Sequence, residues 1–129
     1  MSVFVGDIEK LTEMNDNFRE VLFTAKHTQL VVMCLKGGEE IGREVHDDVD
    51  QFFRIEEGEA EFLFNDAERH HVKAGGAVIV PAGTVHNIVN LSKTSDLKLY
   101  TLYSPPNHPD GTIHATKADA DAAEEEEHK

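Results

Sequence analysis

The sequence predicts a single all-β domain, an antiparallel sandwich or closed barrel. Three observations lead there. Short β-prone runs follow one another along most of the chain, Gly, Pro and Asn cut them at regular intervals, and helical periodicity is thin before residue 115. The 129 residues suit one core, large enough to fold without disulfide staples, and no internal linker divides it.

The elements read as follows. Residues 1–17 are mixed: Val3 and Val5 suit a short edge strand and the rest reads as loop. Residues 18–24 (FREVLFT) are β-prone, and 25–28 are a polar connection. Residues 29–36 form a strong strand whose nearly continuous apolar run, LVVMCL, implies cover on both faces by a second sheet or a partner subunit. Residues 51–56 (QFFRIE) alternate, placing Gln51, Phe53 and Ile55 inward and Phe52 and Arg54 outward. Residues 59–65 carry Ala60, Phe62 and Phe64 on one face, and Asn65-Asp66-Ala67 reads as a hairpin turn. The return strand begins at 70–73, with His70 and His71 on opposite faces and assigned to the surface. Residues 77–80 are short and apolar, and 84–91 alternate, with Thr84, His86, Ile88 and Asn90 sharing a face. The last clear strand is 97–103. A proline-rich extension, YSPPNHPDGTIH, follows at 103–114; its Tyr103, His108, Asp110 and His114 suit a segment laid across a barrel mouth or a neighbouring subunit. Residues 115–129 are rich in Ala and acid and could start a short helix, but the block EEEE and the lack of an apolar stripe favour a frayed or disordered tail.

Charge and composition exclude several roles. The formal net charge is −13, of which residues 119–129 supply −5 and the remainder −8. Phosphate binding needs clustered Lys and Arg, so nucleic acid is a poor partner. No apolar stretch approaches the roughly 20 residues of a membrane helix, and no basic segment followed by an apolar core marks a secretory leader, so the expected location is cytoplasmic. The single cysteine, Cys34, lies in the apolar run and reads as a buried thiol, not a nucleophile. The runs at 30–35 and 52–55 exceed what one small barrel covers inwardly, and so predict a homodimer.

Two polar clusters carry the chemistry. Glu44 and His46, two residues apart, face the same way on an extended backbone, and Gln51 opens the next strand after the acidic turn 47–50. If the two segments are antiparallel neighbours, all three groups meet. His86, from a distant strand, supplies a fourth donor. Imidazole, carboxylate and amide oxygen suit a borderline divalent ion, and the absence of clustered thiols argues against structural zinc or an iron–sulfur site. Asp47, Asp48 and Asp50 read as a solvated turn, and Asn90 as a packing residue.

The same residues resemble the cupin superfamily in its small single-domain form. The second cupin motif, G(x)5PxG(x)2H(x)3N, is matched by Gly75, Pro81, Gly83, His86 and Asn90. The first, G(x)5HxH(x)3–4E(x)6G, is matched by Gly38, His46 and Gly58, with Glu44 at the first histidine position and Gln51 at the glutamate position. The resemblance covers residues 38–90 directly. It implies a double-stranded β-helix (jelly-roll) barrel over residues 1–114, usually dimeric or larger, with one divalent metal on Glu44, His46, Gln51 and His86. It also implies oxygenase, decarboxylase, isomerase or lyase chemistry on a small oxygenated metabolite; the alternative is a non-catalytic barrel binding a sugar or organic acid. Trading an imidazole for a carboxylate and a carboxylate for an amide keeps the ligand charge at −1. The set then favours Mn, Fe or Zn, with Ni or Co behind them.

Overall fold

A computed structural model describes residues 2–127. The elements in chain order are α1 (Ile8–Met14), β1 (Arg19–Thr24), β2 (Gln29–Leu35), β3 (Asp50–Glu57), β4 (Glu59–Phe64), β5 (Glu68–Lys73), β6 (Ala77–Val80), β7 (His86–Asn90), β8 (Leu97–Ser104), β9 (Ile113–His114) and α2 (Lys117–Glu127). Every strand pairing is antiparallel. One sheet has six strands in the order β6-β3-β8-β2-β1-β9, and the other has three in the order β5-β4-β7. Residues 39–44 extend the small sheet beyond β7 through bridges at Glu40–Val89 and Glu44–His86. The two sheets close on one core as the all-β barrel the sequence predicts. No helix among the described residues is long and apolar enough to cross a membrane.

Alternation sets which side chains enter the core. On β3, Gln51, Phe53 and Ile55 are buried while Phe52 and Arg54 are only partly so. On β7 the buried positions are His86, Ile88 and Asn90. Phe53 of the large sheet meets Phe62 of the small one edge-on, with ring centroids 5.3 Å apart. Each buried phenylalanine contributes roughly 1.5–3 kcal/mol of burial. The β4–β5 hairpin turns through the three residues Asn65, Asp66 and Ala67; Asn65 and Asp66 lie at positive φ (51° and 59°), and the Ala67 amide donates to the Phe64 carbonyl. Gly58 links β3 to β4 at φ +93°, and a Cβ there would sit 2.8 Å from the Asp96 carbonyl oxygen. Asn90 is architectural, as expected: its Nδ2 donates to the carbonyls of Leu35, Lys36 and Ser95, and its Oδ1 accepts from the Ser92 amide.

The termini differ from the sequence reading. Val3 and Val5 are exposed and form no strand, and residues 8–14 are helical where loop was expected. Asp7 caps α1 by accepting from the Lys10 amide. The residue α1 buries is Thr12, with its hydroxyl bonded back to the Ile8 carbonyl, while Leu11 and Met14 stay exposed. Apolar periodicity therefore does not reveal it. α1 packs on β2, β3 and β8. It helps to explain why all seven residues of β2 are buried, so the cover that LVVMCL demands comes partly from this chain's own helix. The ground on which that run implied a homodimer is met within one chain. Residues 117–127 are helical where a frayed or disordered tail was expected, and Ala120 joins the core; residues 128 and 129 lie outside the described part. Thr116 caps α2 by accepting from the Asp119 amide. The helix docks through alanine, which leaves no large apolar stripe to read.

Candidate metal centre

The site lies between the two sheets at one end of the barrel. Glu44 and His86 are paired directly across the small sheet. The Glu44 amide donates to the His86 carbonyl and the His86 amide to the Glu44 carbonyl, both at 2.8 Å. Gly42 lies at φ +109° and its amide donates to Asn87 Oδ1, interrupting the ladder just before Glu44. His46 is fixed from the other side, because its carbonyl accepts from the Gly83 amide at 2.8 Å. Asp50 ties the same two segments together: its Oδ1 accepts from the Ala82 amide at 2.8 Å. That carboxylate of the acidic turn thus has a structural task the sequence reading missed.

One donor atom from each of Glu44, His46 and His86 lies within 4.8 Å of the other two. Glu44 Oε2 and His46 Nε2 are 3.0 Å apart. His46 Nε2 is buried and has no hydrogen-bond partner apart from this contact. His86 Nδ1 lies 3.0 Å from the Thr84 carbonyl, the expected place for its proton, which leaves Nε2 as the free donor. Gln51 comes from the opposite sheet, where β3 pairs with β6 and β8. Glu44 and His46 are therefore not its antiparallel neighbours, as the sequence spacing suggested; they belong to the extension of the small sheet, and the groups meet across the barrel. Gln51 Nε2 donates to Thr101 Oγ1 at 2.9 Å. Its Oε1 is buried without a partner, in an inner pocket shared with Glu44, His86, Phe53 and Tyr103.

These residues fit a metal ion. Metal–ligand bonds of about 2.0–2.2 Å leave neighbouring donor atoms roughly 3 Å apart, which matches the Glu44–His46 contact. Buried polar atoms are normally hydrogen-bonded, so Gln51 Oε1, buried without a partner, marks unfilled coordination capacity beside the Glu44–His46 contact. The electrostatics agree. Burial alone would raise the Glu44 carboxyl, but His46, Arg19 and His86 outweigh it and hold the group below the usual carboxylate range. Burial also pushes the His86 imidazole down, despite the Thr84 carbonyl and the Glu44 charge, so it is held as the neutral ligand form.

A polar cavity of about 370 Å³ leads to the cluster, with Glu44 and His46 on its floor. The proline-rich extension and α2 wall it through Asn107, His108, His114, Ala120 and Ala123. The extension leaves β8 through a cis Ser104–Pro105 peptide. Gln29 Oε1 accepts from the amides of Asn107 and His108, and β9 pairs with β1. The segment therefore lies against the mouth of its own barrel. Tyr103 is buried, and burial pushes its hydroxyl up to about 12, so it remains a protonated donor. His108, 3.2 Å from that hydroxyl, is driven down to about 3, first by burial and then by Arg19. His70 and His71 are exposed on β5, pair with Glu68 and Glu61, and take no part in the site. Sequence reasoning missed Arg19, which lines the cavity; one arginine at the start of a β-prone run carries no signal of burial.

Comparison with known proteins supplies the family. The model of the Cupin domain family matches residues 31–103. The uncharacterised protein YrkC of Bacillus subtilis is 48% identical over 127 residues, covering 95% of this chain and 68% of its own length. Protein L612 of Acanthamoeba polyphaga mimivirus, also uncharacterised, is 45% identical over 113 residues, covering 86% of this chain and 71% of its own. The crystal structure of BH2720 from Bacillus halodurans superposes with a TM-score of 0.89 at 43% identity, covering 92% of this chain and 93% of that one. With its two sheets, its donor cluster between them and these relatives, the chain belongs to the cupin family.

Proposed function

We propose that this protein is a mononuclear metal-dependent cupin acting on a small oxygenated metabolite. Glu44, His46, Gln51 and His86 hold one divalent ion, with Mn, Fe or Zn preferred over Ni or Co. The observation that carries this reading is the convergence of Glu44, His46 and His86 donor atoms within 4.8 Å of one another, beside a buried Gln51 Oε1 that has no hydrogen-bond partner. A bound ion would polarise a substrate carbonyl or acidify a water. The chain's own groups do the rest. The Tyr103 hydroxyl, held protonated, lines the inner pocket beside Glu44, Gln51 and His86. That pocket is too tight for a water molecule, so the organic part of a substrate occupies the outer cavity.

The reaction is oxygenase, decarboxylase or isomerase in type. Titrating metal-free protein with Mn, Fe or Zn while screening diketones, aldoses and oxalate should reveal turnover that rises with metal content. Full metal loading without turnover, accompanied by ligand-induced stabilisation, would support the second reading, a non-catalytic binding barrel. That reading is favoured by the glutamine and glutamate substitutions in the donor set.

A further inference from the structure

The outer cavity contains two arginines in different states. Arg43 is largely exposed and held by Asp66 through Nε and Nη2, with contacts of 3.0–3.2 Å. Its charge is already answered. Arg19 is only 7% exposed, at the first position of β1. Its Nη1 donates to His114 Nδ1 at 3.3 Å, and its guanidinium sits 5.4 Å from the centre of the Phe18 ring. Its Nε is buried with no hydrogen-bond partner. Among the described residues, no carboxylate forms an ion pair with it. Burying an unpaired charge costs several kcal/mol, and natural proteins avoid it unless a partner arrives.

Two carboxylates share the cavity with Arg19, those of Glu44 and Glu124. Neither reaches ion-pair distance. In the proposed function, on which this inference rests, Glu44 is committed to the metal. A divalent ion and Arg19 set against Glu44 and Glu124 still leave the site with a surplus of positive charge. Arg19 also meets His114 and the Tyr103 hydroxyl, and neither carries the negative charge that would neutralise it.

We propose that Arg19 is the anion-binding residue of this site, and that the metabolite taken by the barrel carries a carboxylate. The guanidinium fork suits a planar carboxylate, which it can grip by two parallel N–H bonds. Arg19 lines the cavity, and among the described residues no carboxylate already occupies its guanidinium. A cavity of about 370 Å³ suits a small acid more than a polymer end. In this arrangement Arg19 holds the carboxylate, and the rest of the molecule reaches toward Glu44, His46 and the inner pocket.

The test is calorimetric titration of metal-loaded protein with glycolate, pyruvate, malonate and 2-oxoglutarate, each compared with its neutral amide. Metal content is measured on the same samples. At least one acid should bind about tenfold or more tightly than its amide. Arg19→Gln should lose that preference with metal content unchanged, and Arg19→Lys should keep part of it. The acid-against-amide comparison needs no variant, so it stands even if Arg19→Gln fails to fold. The inference is overturned if no acid binds metal-loaded protein, if the amides bind equally well, or if Arg19→Gln binds acids as the wild type does. Should the wild type hold no metal, the proposed function fails by itself. Pyruvate titration of that metal-free protein should still move amide resonances around Arg19 and His114, and unmoved resonances would overturn this inference too.

Discussion

Gln51 shows how one hydrogen bond can set the chemistry of a site. An amide side chain offers either an oxygen or a nitrogen to its surroundings. Here Thr101 Oγ1 takes the nitrogen at 2.9 Å, and the oxygen is left for the pocket shared with Glu44 and His86. Thr84 does the same for His86, because its backbone carbonyl accepts from Nδ1. Partners of this kind typically affect metal affinity by about 10–100-fold. Thr101→Val should therefore weaken metal binding by about that factor while the barrel stays folded, as read by equilibrium dialysis beside a thermal melt. Unchanged affinity would show that Gln51 does not depend on Thr101 for its orientation. The four candidate positions were legible in the sequence, because the cupin motif spacing singles out 44, 46, 51 and 86, and the fold brings Glu44, His46 and His86 together with Gln51 on the same inner pocket as Glu44 and His86. Arg19 was not. Its importance lies in what surrounds it after β9 and α2 have folded against β1, and no local pattern records that.

At the scale of elements, strands were easier to read than helices. Alternation on β3 and β7 is visible because large apolar groups mark the buried positions. The two helices hide because each buries a small or polar residue, Thr12 on α1 and Ala120 on α2. A cap signal was nevertheless present: Thr116 stands three residues before Asp119, and the Asp119 amide donates to its hydroxyl at 3.1 Å. Removing such a cap typically costs about 0.5–2 kcal/mol. Thr116→Ala should speed hydrogen exchange at residues 118–124 with little change in β2 or β8. Equal protection in both proteins would mean that α2 is held by its docking contacts and not by its cap. Because Ala120 and Ala123 wall the cavity, the same measurement reports on how firmly the mouth is closed.

The whole molecule is a two-sheet barrel whose ends differ. One end is closed by the Gly58 and Asn90 turns, and the other gathers donors from both sheets under a wall supplied by the C-terminal segment. The barrel was legible from strand spacing and from two motifs. The convergence across sheets was not, because the link between Glu44 and Gln51 suggested neighbouring strands. Only the pairing of residues 39–44 with β7 shows that Glu44 and His46 lie across the core from Gln51. The metal is the claim on which the chemistry depends. It is tested most directly by elemental analysis of gently purified protein, set against His46→Ala and His86→Ala prepared in the same way. We expect close to one transition-metal or zinc ion per wild-type chain and a clear loss in both variants. Equal metal content in all three, or a wild type that takes up none when supplied with Mn, Fe or Zn, would contradict a metal centre at this site.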